Sequence, residues 1–114
     1  MIKLPTESEC LFPTLTMINE AGGKLSKTLL YPAVINSMGI TPEQLAVEFD
    51  ENTTRRGPKV INRIDFALTN LKAIHAMNNL ERSVWSITDE GRVLLELGPK
   101  AVRNAVREHK RKSS

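Results

Sequence analysis

The sequence predicts a mainly α-helical fold with one short β-hairpin. Apolar residues recur at helical spacing through most of the chain, and Gly and Pro residues separate the periodic stretches. The longest periodic stretch follows Pro58, and two short runs that meet at a tight turn come directly after it. A long helix followed at once by a hairpin is typical of a winged helix-turn-helix, in which the helix can enter the major groove of DNA and the hairpin is the wing.

Composition indicates one globular domain. The chain has 114 residues, of which 40% are hydrophobic and 25% charged. The single cysteine, Cys10, rules out an internal disulfide framework and a Cys-based zinc site, and it is expected in the core beside the first helix's apolar face. No stretch is long enough to span a membrane, and the first residues lack the pattern of a signal peptide. We therefore expect a cytoplasmic protein with no membrane partner.

Positive charge is concentrated in the second half of the chain. Residues 1–50 contain three Lys against six acidic residues, whereas residues 51–114 contain thirteen Lys and Arg against seven. The basic half includes the long helix and the hairpin. This asymmetry predicts an anionic partner, with nucleic acid first. The alternative is a basic tail that only keeps the protein in solution.

The first helix is expected to begin after Thr6. Thr6 and Glu9 match a capping box, in which each side chain accepts a hydrogen bond from a free backbone amide at the helix start. The helix should end at Gly22-Gly23, and Pro13 should kink it or begin its main section. Its expected buried residues have helical spacing: Leu11, Leu15 and Ile18.

Two further helices are expected before the long one. Ser26 caps a helix that runs to about Met38, and the glycine that follows stops it. Thr41, followed by Pro and Glu, signals the start of a short helix that extends to about Phe49. Residues 50–57 then form a polar loop.

The long helix is expected to start at Pro58, with Gly57 as its N-cap, and to end near His75. One face is apolar and should be buried: Val60, Ile61, Ile64, Leu68, Leu71 and Ile74. The residues about opposite are Lys59, Asn62, Arg63, Phe66 and Asn70. Phe66 is expected to pack on a neighbouring helix or a partner subunit, or else to cover a thymine methyl group.

The hairpin should pair residues 76–80 with residues 84–87 through the turn around Arg82. Trp85 and Ile87 share a strand face and should pack in the core. Thr88 should cap the next helix, which ends at Gly98-Pro99. Its expected core-facing residues are Val93, Leu94 and Leu97.

The last segment is strongly basic, with six basic residues and one acid between Lys100 and Lys112. It could fold back as a helix, contact a second copy, or become ordered on a phosphate backbone. We therefore divide the chain into a winged-helix domain, residues 1–98, and a basic tail or helix, residues 99–114.

With these elements in place, the chain resembles the N-terminal domain of Mrr-type restriction endonucleases, a winged-helix DNA-binding module joined to a separate nuclease domain. The resemblance covers about residues 4–97, and its strongest segments are NRIDFALTNLK, residues 62–72, and VWSITDEGRVLL, residues 84–95. Two positions depart from the family's pattern, because His75 and Ser83 stand where the family commonly has Gly. We expect no nuclease centre here, in which an Asp and an acid-x-Lys or Gln-x-Lys would together hold Mg²⁺. The resemblance therefore implies binding of DNA, with modified DNA as one suggested target, and no cleavage.

Six residues are the predicted DNA contacts: Arg55, Arg56, Lys59, Asn62, Arg63 and Arg82. All but the last lie in the loop before the long helix or in its first turns, where the helix N-terminus favours phosphate. Arg and Asn side chains can also address guanine and adenine edges. Arg82 would reach a phosphate from the hairpin tip.

The sequence thus predicts binding of double-stranded DNA, either for target recognition in a modification-dependent restriction system or as a dimeric transcriptional regulator. The remaining alternative is a protein-interaction winged helix with no role on DNA. We expect no enzyme activity, metal or cofactor. His75 and His109 lack partners at metal-ligand spacing, and no Gly-rich segment is followed by the Lys-Ser/Thr of a nucleotide-binding loop.

Overall fold

The computed structural model describes residues 2–113, which form six helices and three strands. In chain order these are α1 (Glu7–Glu20), β1 (Lys24–Ser26), α2 (Lys27–Ser37), α3 (Pro42–Leu45), α4 (Lys59–Ala73), β2 (Met77–Glu81), β3 (Val84–Ile87), α5 (Asp89–Leu97) and α6 (Pro99–Ser113). Four helices precede the hairpin and two follow it, which confirms the predicted order. Strand β1 was not predicted.

The three strands form one antiparallel sheet in the order β1-β3-β2. Leu25 of β1 and Asn79 of β2 lie on either side of Trp85 in the central strand β3. The fold is therefore mainly α with a small antiparallel sheet, as predicted, and it is compatible with a winged helix.

Capping side chains define three of the helix starts. The Thr6 hydroxyl accepts from the Glu9 amide at 3.1 Å, and the Glu9 carboxylate accepts from the Thr6 amide at 2.9 Å. Thr41 makes the same reciprocal pair with Gln44 at the start of α3. Thr88 accepts from the Gly91 amide at 3.0 Å and so caps α5. The three predicted threonine caps are thus confirmed, whereas Ser26 is the N-cap of α2 but makes no side-chain capping hydrogen bond.

The segment between α3 and α4 departs from the prediction at both ends. Helix α3 stops at Leu45, before the expected Phe49, and α4 begins at Lys59 with Pro58, rather than Gly57, as its N-cap. The Lys59 amide donates to the Val47 carbonyl at 2.9 Å, so the two ends of the intervening loop are held together.

The end of α4 lies where the prediction placed it. His75 follows the helix with a φ of 62°, in the left-handed region that a non-glycine residue adopts at a cost. The Thr88 hydroxyl donates to the His75 carbonyl at 2.6 Å. This bond joins the end of α4 to the start of α5.

The core lies between α1, α2, α4, α6 and the sheet. Cys10 is fully buried, and Trp85 and Ile87 are 6% and 7% exposed, which confirms the predicted core positions of these three residues. Four of the six residues predicted for the apolar face of α4 are buried, as is Ala67, whereas Ile61 and Ile74 are half-buried. The largest fully buried side chains include Leu11, Leu15, Ile18, Leu30, Ile64, Leu68, Leu71 and Met77.

The predicted face of α5 is wrong at two of its three positions. Val93 and Leu97 are 56% and 68% exposed, and only Leu94 packs against the core. Helix α5 instead approaches the sheet through Gly91, where an added Cβ atom would lie 2.1 Å from the Ala76 carbonyl oxygen. Because Gly91 lies on the side of α5 that is nearest the sheet, the side chains of Val93 and Leu97 lie on the opposite side and face solvent.

Helix α6 folds back onto the domain. Val102 and Val106 are buried in the common core, whereas the basic side chains between them and after them are exposed. Of the alternatives considered for this segment, the folded-back helix is the one that the structure contains. The division of the chain at residue 98 stays a prediction. None of the helices within residues 2–113 has both the length and the apolar character needed to cross a membrane.

Candidate nucleic-acid interface

The side of α4 that faces away from the core is the candidate interface. Its residues are Asn62, Asp65, Phe66 and Thr69, and together they are named here the outward face. Phe66 and Thr69 are exposed, and Asn62 and Asp65 are half-buried. They recur at helical spacing opposite the buried stripe, so a partner could contact all of them at once.

Arg55 extends the outward face towards the loop that precedes α4. Its guanidinium carbon lies 5.3 Å from the centre of the Phe66 ring and 5.6 Å from that of Phe49. Phe66 is 37% exposed beneath it. The stacking holds a flexible cation in place over apolar surface while its charge stays accessible. The predicted thymine contact of Phe66 stays a prediction.

The next two predicted contacts lie beside Arg55. Arg56 is exposed and donates from Nη1 to the carbonyls of Thr53 and Arg55, the latter at 2.9 Å. Lys59 is the first residue of α4, and its ammonium lies 5.7 Å from the Phe49 ring centre. Three cations therefore cluster at the N-terminal end of α4, which itself attracts anions.

Arg63 lies on a different side of α4. Its Nη1 donates to the Pro5 carbonyl at 3.1 Å, and the residue is half-buried. Asn70, two turns further along the same side, donates to the Glu7 carboxylate. The bond to Pro5 restrains the Arg63 side chain on this side of α4. Its base-reading role stays a prediction.

Arg82 is exposed in the hairpin turn, as predicted. The Asn79 side chain donates to the carbonyls of Glu81 and Val84, at 2.6 and 3.0 Å, and so fixes the turn from within. The Ser83 carbonyl accepts from the Lys27 amide at 2.7 Å. The hairpin turn is therefore attached to the first residue of α2.

Sequence reasoning missed a polar cluster that joins α2 to the outward face. Asp65 Oδ1 accepts a hydrogen bond from the Tyr31 hydroxyl at 2.5 Å and lies 3.2 Å from Lys27 Nζ. Burial, followed by the hydrogen bond to Asp65 and the carboxylate's charge, raises the pKa of Tyr31, so the hydroxyl stays protonated as a donor. The only available signal was the position of Asp65, three residues after Asn62 on the polar side of the helix.

The basic residues of α6 form a separate charged surface. Arg103 and Arg107 are exposed, and Lys110 lies 3.1 Å from the Glu7 carboxylate, which also accepts from Asn70. Glu7 thus connects α1, α4 and α6. A non-specific contribution of this surface to DNA affinity stays a prediction.

Two features bear on metal and thiol chemistry among residues 2–113. No group of three or more His, Cys, Asp or Glu side chains in this part of the chain could hold a metal ion. Cys10 is buried among apolar side chains, and its burial raises the pKa of the thiol to about 11, which disfavours the reactive thiolate.

Comparison with known proteins gives one finding. The family model of the Mrr N-terminal domain matches residues 8–96, from the second residue of α1 to the last turn of α5. Neither a curated protein nor a solved structure matches the chain.

Proposed function

Because the chain belongs to the Mrr N-terminal domain family, we propose that it binds double-stranded DNA through the outward face of α4. The family suggests a domain related to restriction systems. Within that setting, the finer proposal is that this chain recognises the target for a modification-dependent restriction system. It is proposed as a binding module, and no catalytic residue is assigned to it.

The observation that carries this proposal is a pair of unneutralised cations at the start of α4. Arg55 and Arg56 are both exposed, and neither has an acidic partner within the described part of the chain. Cations held in place without a protein counter-ion favour binding to phosphate. Their position lets α4 approach a major groove while they contact its edge.

The hairpin turn supports the same orientation. Arg82 is exposed there, and the carbonyl of the adjacent Ser83 accepts from the backbone amide of Lys27, which attaches the turn to α2. A winged helix commonly contacts the phosphates that flank the groove with such elements. The proposed interface therefore includes Arg55, Arg56, Lys59, Asn62 and Arg82.

The test is fluorescence anisotropy of a labelled duplex titrated with the protein at several salt concentrations. About four phosphate contacts would give a slope of about −3 to −4 in the plot of log affinity against log salt concentration. The double variant Arg55→Ala/Arg56→Ala should reduce the magnitude of this slope by about 2. Arg92→Ala is the control, since it removes an exposed cation that pairs with Asp89 on α5.

Two outcomes would overturn the proposal. One is the absence of salt-dependent binding to any duplex, which would favour the protein-interaction alternative. The other is an equal reduction of the salt-dependence slope, per charge removed, in the double variant and in Arg92→Ala. That result would indicate non-specific electrostatic attraction and no defined binding site. Light scattering of the complex would separate a monomeric module from the dimeric regulator, since dimerisation stays a prediction.

A further inference from the structure

The carboxylate of Asp65 is unusual on a face that we assign to DNA, because phosphate repels it. Its side chain is 38% exposed, and it occupies the middle of α4 beside the outward residues Asn62 and Phe66. A solvated Asp at this position would weaken binding to any duplex. A carboxylate can contribute there only if it contacts a hydrogen-bond donor that DNA itself supplies.

The two partners of Asp65 determine its orientation. Both the Tyr31 hydroxyl and the Lys27 ammonium approach the same oxygen, Oδ1, at 2.5 and 3.2 Å. None of residues 2–113 donates a hydrogen bond to Oδ2, and the ion pair with Lys27 is made through Oδ1. The lysine offsets the negative charge, and the tyrosine fixes the side-chain rotamer. One acceptor atom is therefore held in place and left unused.

The position of this acceptor is fixed relative to the hairpin as well. Lys27, which approaches Oδ1 with its side chain, donates from its backbone amide to Ser83 in the hairpin turn at 2.7 Å. The Asp65 cluster thus lies where α2, α4 and the hairpin meet. Such fixed placement is what reading a single base requires.

The hydrogen-bonding groups in the major groove of DNA indicate which base could contact Asp65 Oδ2. The exposed donors there are the amino groups of cytosine N4 and adenine N6. Adenine presents its N7 acceptor beside N6, and this atom would repel a second carboxylate lone pair, whereas Asp and Glu pair with cytosine N4. We propose that Asp65 Oδ2 accepts a hydrogen bond from the N4 amino group of one cytosine, with Tyr31 and Lys27 as positioning residues. This inference depends on the proposed function.

The experiment begins with selection of bound sequences from a randomised duplex pool by the intact protein. The best duplex and its single-base variants are then compared by anisotropy. Wild-type protein should prefer cytosine at one position by about 5- to 100-fold over thymine. Asp65→Asn and Asp65→Ala should bring that ratio close to 1 while general affinity for duplex stays equal or rises.

Glu81→Gln is the matched control, because it also removes one acidic charge near the interface, next to Arg82. It should raise general affinity similarly and leave the preference for cytosine intact. Tyr31→Phe keeps the carboxylate and removes its hydroxyl donor, so it should lower the preference several-fold. If the Tyr31–Asp65 hydrogen bond only held α2 against α4, Tyr31→Phe would change the melting temperature but not the base preference.

A change in the DNA gives a readout that does not depend on folding of a variant. Replacing the selected cytosine by 2-pyrimidinone, which lacks the amino group, should remove the preference of the wild-type protein but leave Asp65→Ala unaffected. Salt-dependent binding with no preference for cytosine, or a preference that persists in Asp65→Ala, would overturn this inference and leave the proposed function standing. Absence of duplex binding by the wild type would overturn the proposed function itself.

Discussion

Arg63 on α4 donates a hydrogen bond to the carbonyl of Pro5, 58 positions earlier in the chain, at 3.1 Å. This contact attaches the segment before α1 to a residue that the sequence predicted as a DNA contact. An arginine used in this way stabilises the fold, because its charge strengthens a bond to a carbonyl that is partly removed from water.

We expect Arg63→Ala to lower the free energy of unfolding by about 1–2 kcal/mol, since a hydrogen bond to a charged donor is lost. It should weaken duplex binding less than Arg55→Ala does. Urea denaturation and anisotropy would measure the two effects. Unchanged stability together with a tenfold loss of affinity would instead assign Arg63 to base contact, as the sequence suggested.

We expect His75→Gly to stabilise the protein by about 0.5–1 kcal/mol, because glycine adopts a φ of 62° without the steric cost of a side chain. The Thr88 bond to the carbonyl of residue 75 is retained, since it involves only backbone at that position. Thermal unfolding would show a melting temperature higher by a few degrees.

Lys72→Gly, in the last turn of α4, is the matched control for His75→Gly. The same replacement at a helical position should lower stability, by up to about 1 kcal/mol. A loss of stability in both variants would mean that the His75 side chain makes an interaction that outweighs its backbone strain.

The capping box of α1 should make stability depend on pH. Hydrogen bonds from the backbone and side chain of Thr6 lower the pKa of Glu9 from its usual value of 4.5. A lowered pKa in the folded state means that Glu9 contributes stability above about pH 4.5, and that this contribution is lost as pH falls through the folded-state pKa.

Comparison of wild type with Glu9→Gln measures this contribution, because glutamine keeps the capping geometry without the charge. The wild type should melt higher at pH 7, and the difference should shrink below pH 4. A difference that is constant from pH 7 to pH 3 would show that ionisation of Glu9 does not stabilise α1.

Cys10 should react slowly with a thiol reagent in the folded protein. Its side chain is fully buried, and burial raises the pKa of the thiol to about 11. At pH 8 the reaction with an aromatic disulfide reagent should follow the opening of the fold and accelerate strongly in denaturant. Cys10→Ala supplies the background, and rapid stoichiometric labelling under native conditions would contradict the buried position.

Local signals in the sequence predicted the elements that depend on neighbouring residues. Thr6, Thr41 and Thr88 cap helices because their partners lie three residues further on. The hairpin was predicted from two short strand-like segments that are separated by a tight turn. Such features need no knowledge of the tertiary structure.

Features that depend on distant residues could not be predicted in this way. Strand β1 has three residues and exists only because β3, about 60 positions later, supplies its hydrogen-bond partners. The exposed side of α5 follows from the close approach of Gly91 to Ala76. The Asp65–Tyr31 bond joins residues 34 positions apart, so neither residue alone indicated the cluster.

The irregular pairing of β2 has a consequence for self-association. Asn79 lies opposite Trp85 and Glu81 opposite Val84, so Leu80 is bulged out of the ladder and is 52% exposed. The opposite edge strand of the sheet, β1, has only three residues. Neither edge strand therefore has the long, flat row of unpaired backbone amides and carbonyls to which a strand of a second molecule could pair. Concentrated solutions should therefore resist the growth of fibrils through this sheet.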